Sequence, residues 1–318
     1  MTSMPQTLPL VEVENLAVGF PRAGGGWRRV VRGASLRVAP SETVGVVGES
    51  GCGKSLTALA LTRLVPEPGA ILGGSVAVGG EDVSAATEER LQRLRGGVVG
   101  YVFQDGAAAF NPLRSLGFQV AEAALLQARV SAREARARAE ELLLEVGLDD
   151  PRAILRAFPH QVSGGQRQRV LLAAALAGGP RLLGLLRRLR ERHGLAILLI
   201  SHDLAVVRGL AQRITVLYAG ETVEEADAGA LLGEPAHPYA RALVACAGGG
   251  ETLAAGRELP SIPGRVPAPE GWGGRCRFAE RCPAAFDHCR RAHPGMIALG
   301  EGRRVRCFLY GDAEDDDA

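Results

Sequence analysis

The run Gly48-Glu-Ser-Gly-Cys-Gly-Lys-Ser55 fits the spacing G-x-x-x-x-G-K-[ST]. In that pattern the backbone N–H groups of a Gly-rich loop close around nucleotide phosphates, and the lysine reaches the β- and γ-phosphates. The chain has 37 Lys and Arg residues, and Lys54 is its sole lysine. A guanidinium is planar and forked, whereas an ammonium is a compact point charge on a flexible stem. Only the ammonium fits between phosphates inside a closing loop, so the one lysine stands where that chemistry requires it. Gly48, Ser50, Gly51, Gly53, Lys54 and Ser55 are the candidate phosphate-binding residues, with the Ser55 hydroxyl also a candidate Mg2+ ligand. A second run, Ser163-Gly164-Gly165-Gln166, sets a hydroxyl and bare backbone at a helix start, which makes an anion site. The plainer reading of the same residues is an ordinary Ser N-cap with a Gly-Gly turn.

These residues need elements to hold them. Thr43 to Val47 is a short apolar strand leading into the first run, and a helix is predicted from about Gly53 to Leu64. Strand, Gly-rich loop and helix in that order is the context a phosphate loop requires. Leu10 to Val18, Val30 to Val38, Ser75 to Val78, Val98 to Phe103, Leu195 to Ile200 and Ile214 to Ala219 read as further strands. Between Asn111 and Pro159 the pattern turns helical: Phe118 to Gln127, then Ser131 to Val146, opened by the capping box Ser131-Ala-Arg-Glu134. Gly164 to Leu176 is another helix. Strands alternating with helices around a phosphate loop indicate a three-layer α/β sheet. After Pro235 the composition shifts towards Pro, Gly and Cys, which suggests a boundary near 235–250.

Composition excludes some classes. The net charge of +2 gives no strong pull on nucleic acid. No apolar run approaches the roughly 20 residues a membrane-spanning helix needs. The opening Met1-Thr-Ser-Met-Pro lacks the basic and apolar regions of a secretory signal, so the expected location is cytoplasmic. The acidic tail 312–318 reads as a soluble, frayed end.

Taken together, the runs resemble the ATP-binding subunits of ABC transporters, in which Ser163 to Gln166 matches the signature. Tyr101-Val-Phe-Gln104, followed by Asn111-Pro112, looks like the family's Q-loop, and Ser201-His202-Asp203 looks like its switch histidine. The resemblance implies a P-loop NTPase three-layer sandwich with an inserted α-helical subdomain and a short Cys-rich C-terminal extension. It puts the nucleotide-binding domain at 1–240, the helical subdomain at about 105–165 and the extension at 241–318. ATP and Mg2+ follow as ligands. Gln104 would reach the magnesium side, His202 would donate a hydrogen bond to the γ-phosphate, and Phe20 would lie against adenine or simply pack in the core. His160 and His193 are expected on the surface or in packing. The implied partners are a second ATP-binding subunit, two membrane-spanning permease subunits and, through them, an extracytoplasmic solute-binding protein. The chain would then sit peripherally on the cytoplasmic face of the membrane. A DNA-acting ATPase of the same superfamily would need a long coiled-coil insertion or C-x-x-C modules, and the sequence has neither.

The closest form of the resemblance is the oligopeptide, dipeptide and nickel importer branch, carried by Glu234-Pro-Ala-His-Pro-Tyr-Ala-Arg241 and by four late cysteines. Cys276, Cys282, Cys289 and Cys307 are spaced C-x5-C-x6-C-x17-C. Four thiolates can hold tetrahedral zinc or a [4Fe–4S] cluster, or can stay unliganded. The close pairs of structural zinc sites are lacking, and members of the branch can carry the cluster. Cys52 reads as a small filler, and Cys246 has no assigned role.

One departure touches the chemical centre. The family carries an apolar strand ending in two carboxylates between the signature helix and the switch histidine. Here no Asp or Glu occurs between Asp150 and Glu191, and Ser163 to His202 spans only 39 residues. That interval must already hold two helices and a strand, at ~11–12 residues per helix and ~5–6 per strand, so the carboxylate strand and its loop are expected to be absent; the resemblance puts the gap at roughly twenty residues. Nucleotide binding leans on the phosphate loop and would survive. Hydrolysis by this chain's own site would be impaired, because losing a general base costs ~10²–10⁴ in rate. The sequence thus reads as an importer subunit with a weakened site, with a non-hydrolysing structural or regulatory module, or a non-functional deletion product, as the competing reading.

Overall fold

The computed structural model describes residues 9–101, 110–128, 131–146, 148, 150–176, 195–201, 204–247 and 261–311. The chain divides into two compact units, one of residues 1–85 and 196–318, the other of residues 86–195. Gln104 and His202 lie outside the described residues.

The first unit is built on two sheets. One is antiparallel, from β1 (Val11–Pro21), β2 (Trp27–Val38), β4 (Ala70–Val78) and β5 (Glu81–Asp82), in the order β2-β1-β4-β5. The other joins β3 (Thr43–Val47), β6 (Ile197–Ile200), β7 (Arg213–Tyr218), β8 (Glu221–Asp227), β9 (Ile297–Gly300) and β10 (Arg303–Val305) in the order β6-β3-β7-β8-β10-β9. β3 runs parallel to β6 on one side and β7 on the other, while β8 returns antiparallel along β7. All residues of β3 are buried, as expected of a β-branched run with neighbours on both edges. Gly45 lets helix α7 (Leu204–Arg208) lie close to that strand: a Cβ at 45 would fall 2.3 Å from Val207 Cγ1.

β6 differs from β3. It is the outermost strand on its side of the sheet among the described residues, and all four of its aliphatic residues are only half-buried. β8 is the opposite case. It reads Glu-Thr-Val-Glu-Glu-Ala-Asp, yet its first six residues are buried. Pairing makes this possible, because a buried carboxylate is tolerated only with charge and hydrogen-bond partners. Glu221 meets His293 at 2.8 Å and Arg277 at 3.4 Å, Glu225 meets Arg213, and Glu224 accepts from the Ala236 and His237 N–H groups.

Helix α1 (Lys54–Ala60) follows the phosphate loop. It stops short of the expected Leu64, and Arg63 then takes a left-handed φ of 54° ahead of Pro66, which breaks the helical path. After α1, the helices of this unit are α7, α8 (Ala228–Gly233), α9 (Pro238–Ala247) and α10 (Asp287–Arg291).

The second unit holds α2 (Glu88–Arg93), α3 (Leu116–Ala128), α4 (Ala132–Glu145), α5 (Pro151–Arg156) and α6 (Gly164–Leu176). Its core packs Leu116 and Val120 of α3 against Leu142 and Leu143 of α4 and Val170 of α6. The Ser131 capping box forms as expected: Ser131 Oγ accepts from the Glu134 N–H, and the Glu134 carboxylate accepts from the Ser131 N–H at 2.8 Å. Among the described residues 98–101, no part of the strand expected from Val98 to Phe103 forms. Leu94–Val98 instead continues α2 as a π-helical turn, and the rest of that segment, 102–109, lies outside the described residues.

Candidate functional site

Residues 48–53 form the loop between β3 and α1, and its geometry follows from glycine. Gly48 has φ 150°, and a Cβ there would fall 2.1 Å from the Leu217 carbonyl oxygen and 2.9 Å from Cys52 Sγ. Only a residue with no side chain lets the loop lie this close to the end of β7. Gly53, at φ 98°, is the N-cap of α1. Ser50, Gly51 and Ser55 are exposed on the open side of the loop, whereas Cys52 is fully buried and its thiol pKa is pushed up by burial.

Lys54 is held by the loop itself. Its ammonium donates to the Gly48 carbonyl at 2.8 Å and the Glu49 carbonyl at 2.9 Å, and lies 3.6 Å from Cys52 Sγ. Three donors on one ammonium meet three acceptors on one loop. A phosphate entering the loop would replace these weak partners with strong, charge-assisted ones.

Three residues that the sequence did not single out complete the loop's surroundings. Glu49 pairs in bidentate fashion with Arg281, at 2.7 Å and 3.0 Å. The Glu49 N–H donates to the Tyr239 hydroxyl at 2.8 Å. Tyr239 packs with Tyr218 and Phe278 in an aromatic cluster, with ring centroids 4.5–5.4 Å apart. Glu49 and Arg281 are 232 positions apart, and no local pattern ties them.

Phe20 stands near the end of β1, half-buried, with its ring edge against the turn at Gly69. In the other unit, Ser163, Gly164, Gly165 and Gln166 open α6. The Ser163 N–H donates to Gln166 Oε1 at 2.9 Å, and the Gln166 N–H donates to Ser163 Oγ at 3.2 Å. The serine and glutamine therefore cap the helix reciprocally. Arg167 reinforces the entry by donating to the Pro159 and Val162 carbonyls.

The four late cysteines converge. Cys276, Cys282, Cys289 and Cys307 line one small pocket with His237 and Phe278. Backbone N–H groups of Phe278, Ala284 and Leu309 each hydrogen-bond the thiol two residues earlier. Burial, with the neighbouring thiols, pushes Cys276 up to about 12. The [4Fe–4S] cluster expected here is not supported. Among the described residues no group of three or more His, Cys, Asp or Glu side chains is arranged to hold a metal ion.

Comparison with known proteins decides the family. Residues 31–185 match the family model described as ABC transporter, and residues 223–289 match the oligopeptide/dipeptide transporter C-terminal region. A Brucella melitensis protein named for peptide import ATP-binding is 41% identical over 96% of this chain and 97% of its own length. The chain belongs to the ABC-transporter ATP-binding family. Within that family, the dipeptide transport ATP-binding protein DppD of Escherichia coli K12 is 36% identical over 94% of this chain and 96% of DppD. Among solved structures, the dimeric bacterial ABC transporter cassette MJ0796 aligns with a TM-score of 0.60 and 26% identity, covering 69% of this chain and 98% of that one. The ABC cassette fold, with its mixed sheets and phosphate loop, is thus the fold of this chain.

Proposed function

We propose that this chain is the ATP-binding subunit of an importer for peptides, working with a second ATP-binding subunit on two membrane permeases fed by an extracytoplasmic solute-binding protein. The observation that carries the reading is the phosphate loop with its single lysine, inside a chain that matches peptide-import ATP-binding proteins end to end. No helix among the described residues is long and apolar enough to cross a membrane, so attachment would come through the permeases. Gly48 to Ser55 would bind the triphosphate and orient Mg2+, and Mg2+ when bound would offset phosphate charge. Gln104 would reach the magnesium and water side, His202 would donate to the γ-phosphate, and Phe20 would lie against the base. Ser163 to Gln166 would close on the nucleotide of the opposite subunit.

The chain's own site is proposed to hydrolyse poorly. Three observations support a missing carboxylate strand. No Asp or Glu lies between Asp150 and Glu191. Strand β6, an Ile-Leu-Leu-Ile run suited to burial on both edges, has an open edge among the described residues. The Brucella alignment runs over 325 positions, while 96% of 318 residues fills only about 305, leaving about 20 unmatched. The DppD alignment leaves about 20 as well, 319 positions against 94% of 318 residues.

A titration with a fluorescent ATP analogue tests the binding half. Wild type should bind and Lys54→Ala should not, and a wild-type chain with no affinity would end the reading. Turnover tests the other half. The chain alone should hydrolyse ATP at least ~10²-fold more slowly than when mixed with an intact partner subunit. Equal rates in both samples would remove the proposed defect.

A further inference from the structure

We infer that Arg281, in the cysteine-bearing C-terminal segment, is a positioning residue for the phosphate loop: it neutralises Glu49 and turns that carboxylate away from the phosphate seat. The inference rests on the ATP-binding reading above and concerns how the same loop is kept competent.

Glu49 is the difficulty in an otherwise suitable loop. It places a negative charge one residue from Gly48, inside a ring of backbone meant for a polyanion. A like charge at that range opposes phosphate binding, and only a fixed counter-charge removes the conflict. Arg281 supplies it in a form no surface cation could. Its side chain is 5% exposed. Nε donates to the Pro263 carbonyl at 2.7 Å. One terminal nitrogen donates to Glu49 Oε2 at 2.7 Å and to the Tyr218 hydroxyl at 3.3 Å. The other donates to Glu49 Oε1 at 3.0 Å and to the Ile262 carbonyl at 3.3 Å. All five N–H donors of the guanidinium are thereby engaged, so its plane is fixed and the carboxylate it grips is fixed with it. The Glu49 backbone is pinned independently by the Tyr239 hydroxyl.

Arg277 makes a second attachment from the same stretch of chain. It donates to the Ala219 carbonyl at 2.7 Å and the Arg32 carbonyl at 3.0 Å, beside Gly220, whose N–H donates to the Cys52 carbonyl of the loop at 3.1 Å. Residues 276–282 are therefore two-sided. Cys276, Phe278 and Cys282 face the cysteine pocket, and Arg277 and Arg281 face the phosphate loop and its support.

The test is a charge cycle on the full-length chain, read as the dissociation constant of a fluorescent ATP analogue. Arg281→Gln leaves Glu49 unpaired at the loop and should weaken binding about tenfold or more, with the deficit shrinking as salt rises. The double variant Glu49→Gln/Arg281→Gln removes the charge that needed masking, so its affinity should return to within about threefold of Glu49→Gln alone. A purely structural Arg281 would give the opposite pattern: the second substitution would not rescue the first, and salt would not matter. Should Arg281→Gln fail to fold, Arg281→Lys keeps a cation but not the fork, and should show a smaller, salt-sensitive loss. Wild-type affinity is measured first. No binding by wild type sinks the functional reading, while equal affinity of Arg281→Gln and wild type, or an unrescued double variant, overturns this inference alone.

Discussion

His237 offers a sharp test of how the C-terminal segment is anchored. It is 2% exposed and stands immediately before α9, where its Nδ1 accepts from the Tyr239 N–H at 3.0 Å. The other ring nitrogen meets the Arg306 backbone. This arrangement needs the neutral imidazole, since a protonated Nδ1 would have no lone pair for Tyr239. Burial first, then the nearby Arg306 and Arg241 charges, hold His237 down from 6.5 to about 3. The unfolded chain therefore takes up a proton below pH 6.5 that the native chain refuses until about pH 3. The stabilisation is complete above pH 6.5 and is lost as pH falls through that window. One pH unit of separation is worth on the order of 1 kcal/mol, so lowering pH from 6.5 to 4.5 should remove roughly 2 kcal/mol. Urea unfolding followed by tryptophan fluorescence is the assay, because Trp27 and Trp272 are the only two tryptophans and both lie in the first unit. His237→Asn keeps an N-cap acceptor and removes the titrating group. It should be less stable than wild type near neutral pH and show a shallower acid slope, so the gap between the two narrows as pH falls from 6.5 to 4.5. An unchanged slope between pH 6.5 and 4.5 would refute the argument.

Other outcomes follow from particular contacts. Gly48→Ala forces a Cβ to within 2.1 Å of the Leu217 carbonyl oxygen, so nucleotide binding should be lost with the loop's path, as a titration would record. Glu224→Ala strips the acceptor from the Ala236 and His237 N–H groups and leaves Arg303 without its carboxylate. A broken buried pair of this kind costs about 3–5 kcal/mol, readable as a lowered urea midpoint. In the second unit, Leu143→Ala opens a cavity in a fully buried core and should cost about 2–5 kcal/mol by circular dichroism melts. Cys276, pushed up to about 12, should react with iodoacetamide at pH 8 about 10³-fold more slowly than an unperturbed thiol, and unfolding in urea should erase the difference.

Much of this arrangement is visible in the sequence where local chemistry dominates. Thr43–Val47 and Gly164–Leu176 carry the bounds expected of them, because a β-branched run ahead of a Gly-rich loop and a Ser-capped amphipathic segment each have one low-energy conformation. β8 was invisible for a physical reason. Four of its seven residues are acidic, and three of these, Glu221, Glu224 and Glu225, are buried only because Arg213, Arg277, Arg303 and His293 arrive from distant parts of the chain. The Arg281–Glu49 clamp belongs to the same class: two ordinary charged residues become a device only once the fold brings them together. The strand expected to open at Val98 meets a π-helical turn there instead, because Leu94–Val98 continues α2 and packs against α3, a tertiary contact that the local apolar pattern does not encode.

The outer strand of the mixed sheet carries a liability of its own. Ile197 to Ile200 gives one row of backbone groups to β3, and its other row faces no strand among the described residues. A short aliphatic ribbon without charge or proline at its rim is the kind of surface on which separate molecules stack into fibrils. During expression this edge should favour self-association, and a single Lys grafted at position 198 should improve the yield of dispersed protein.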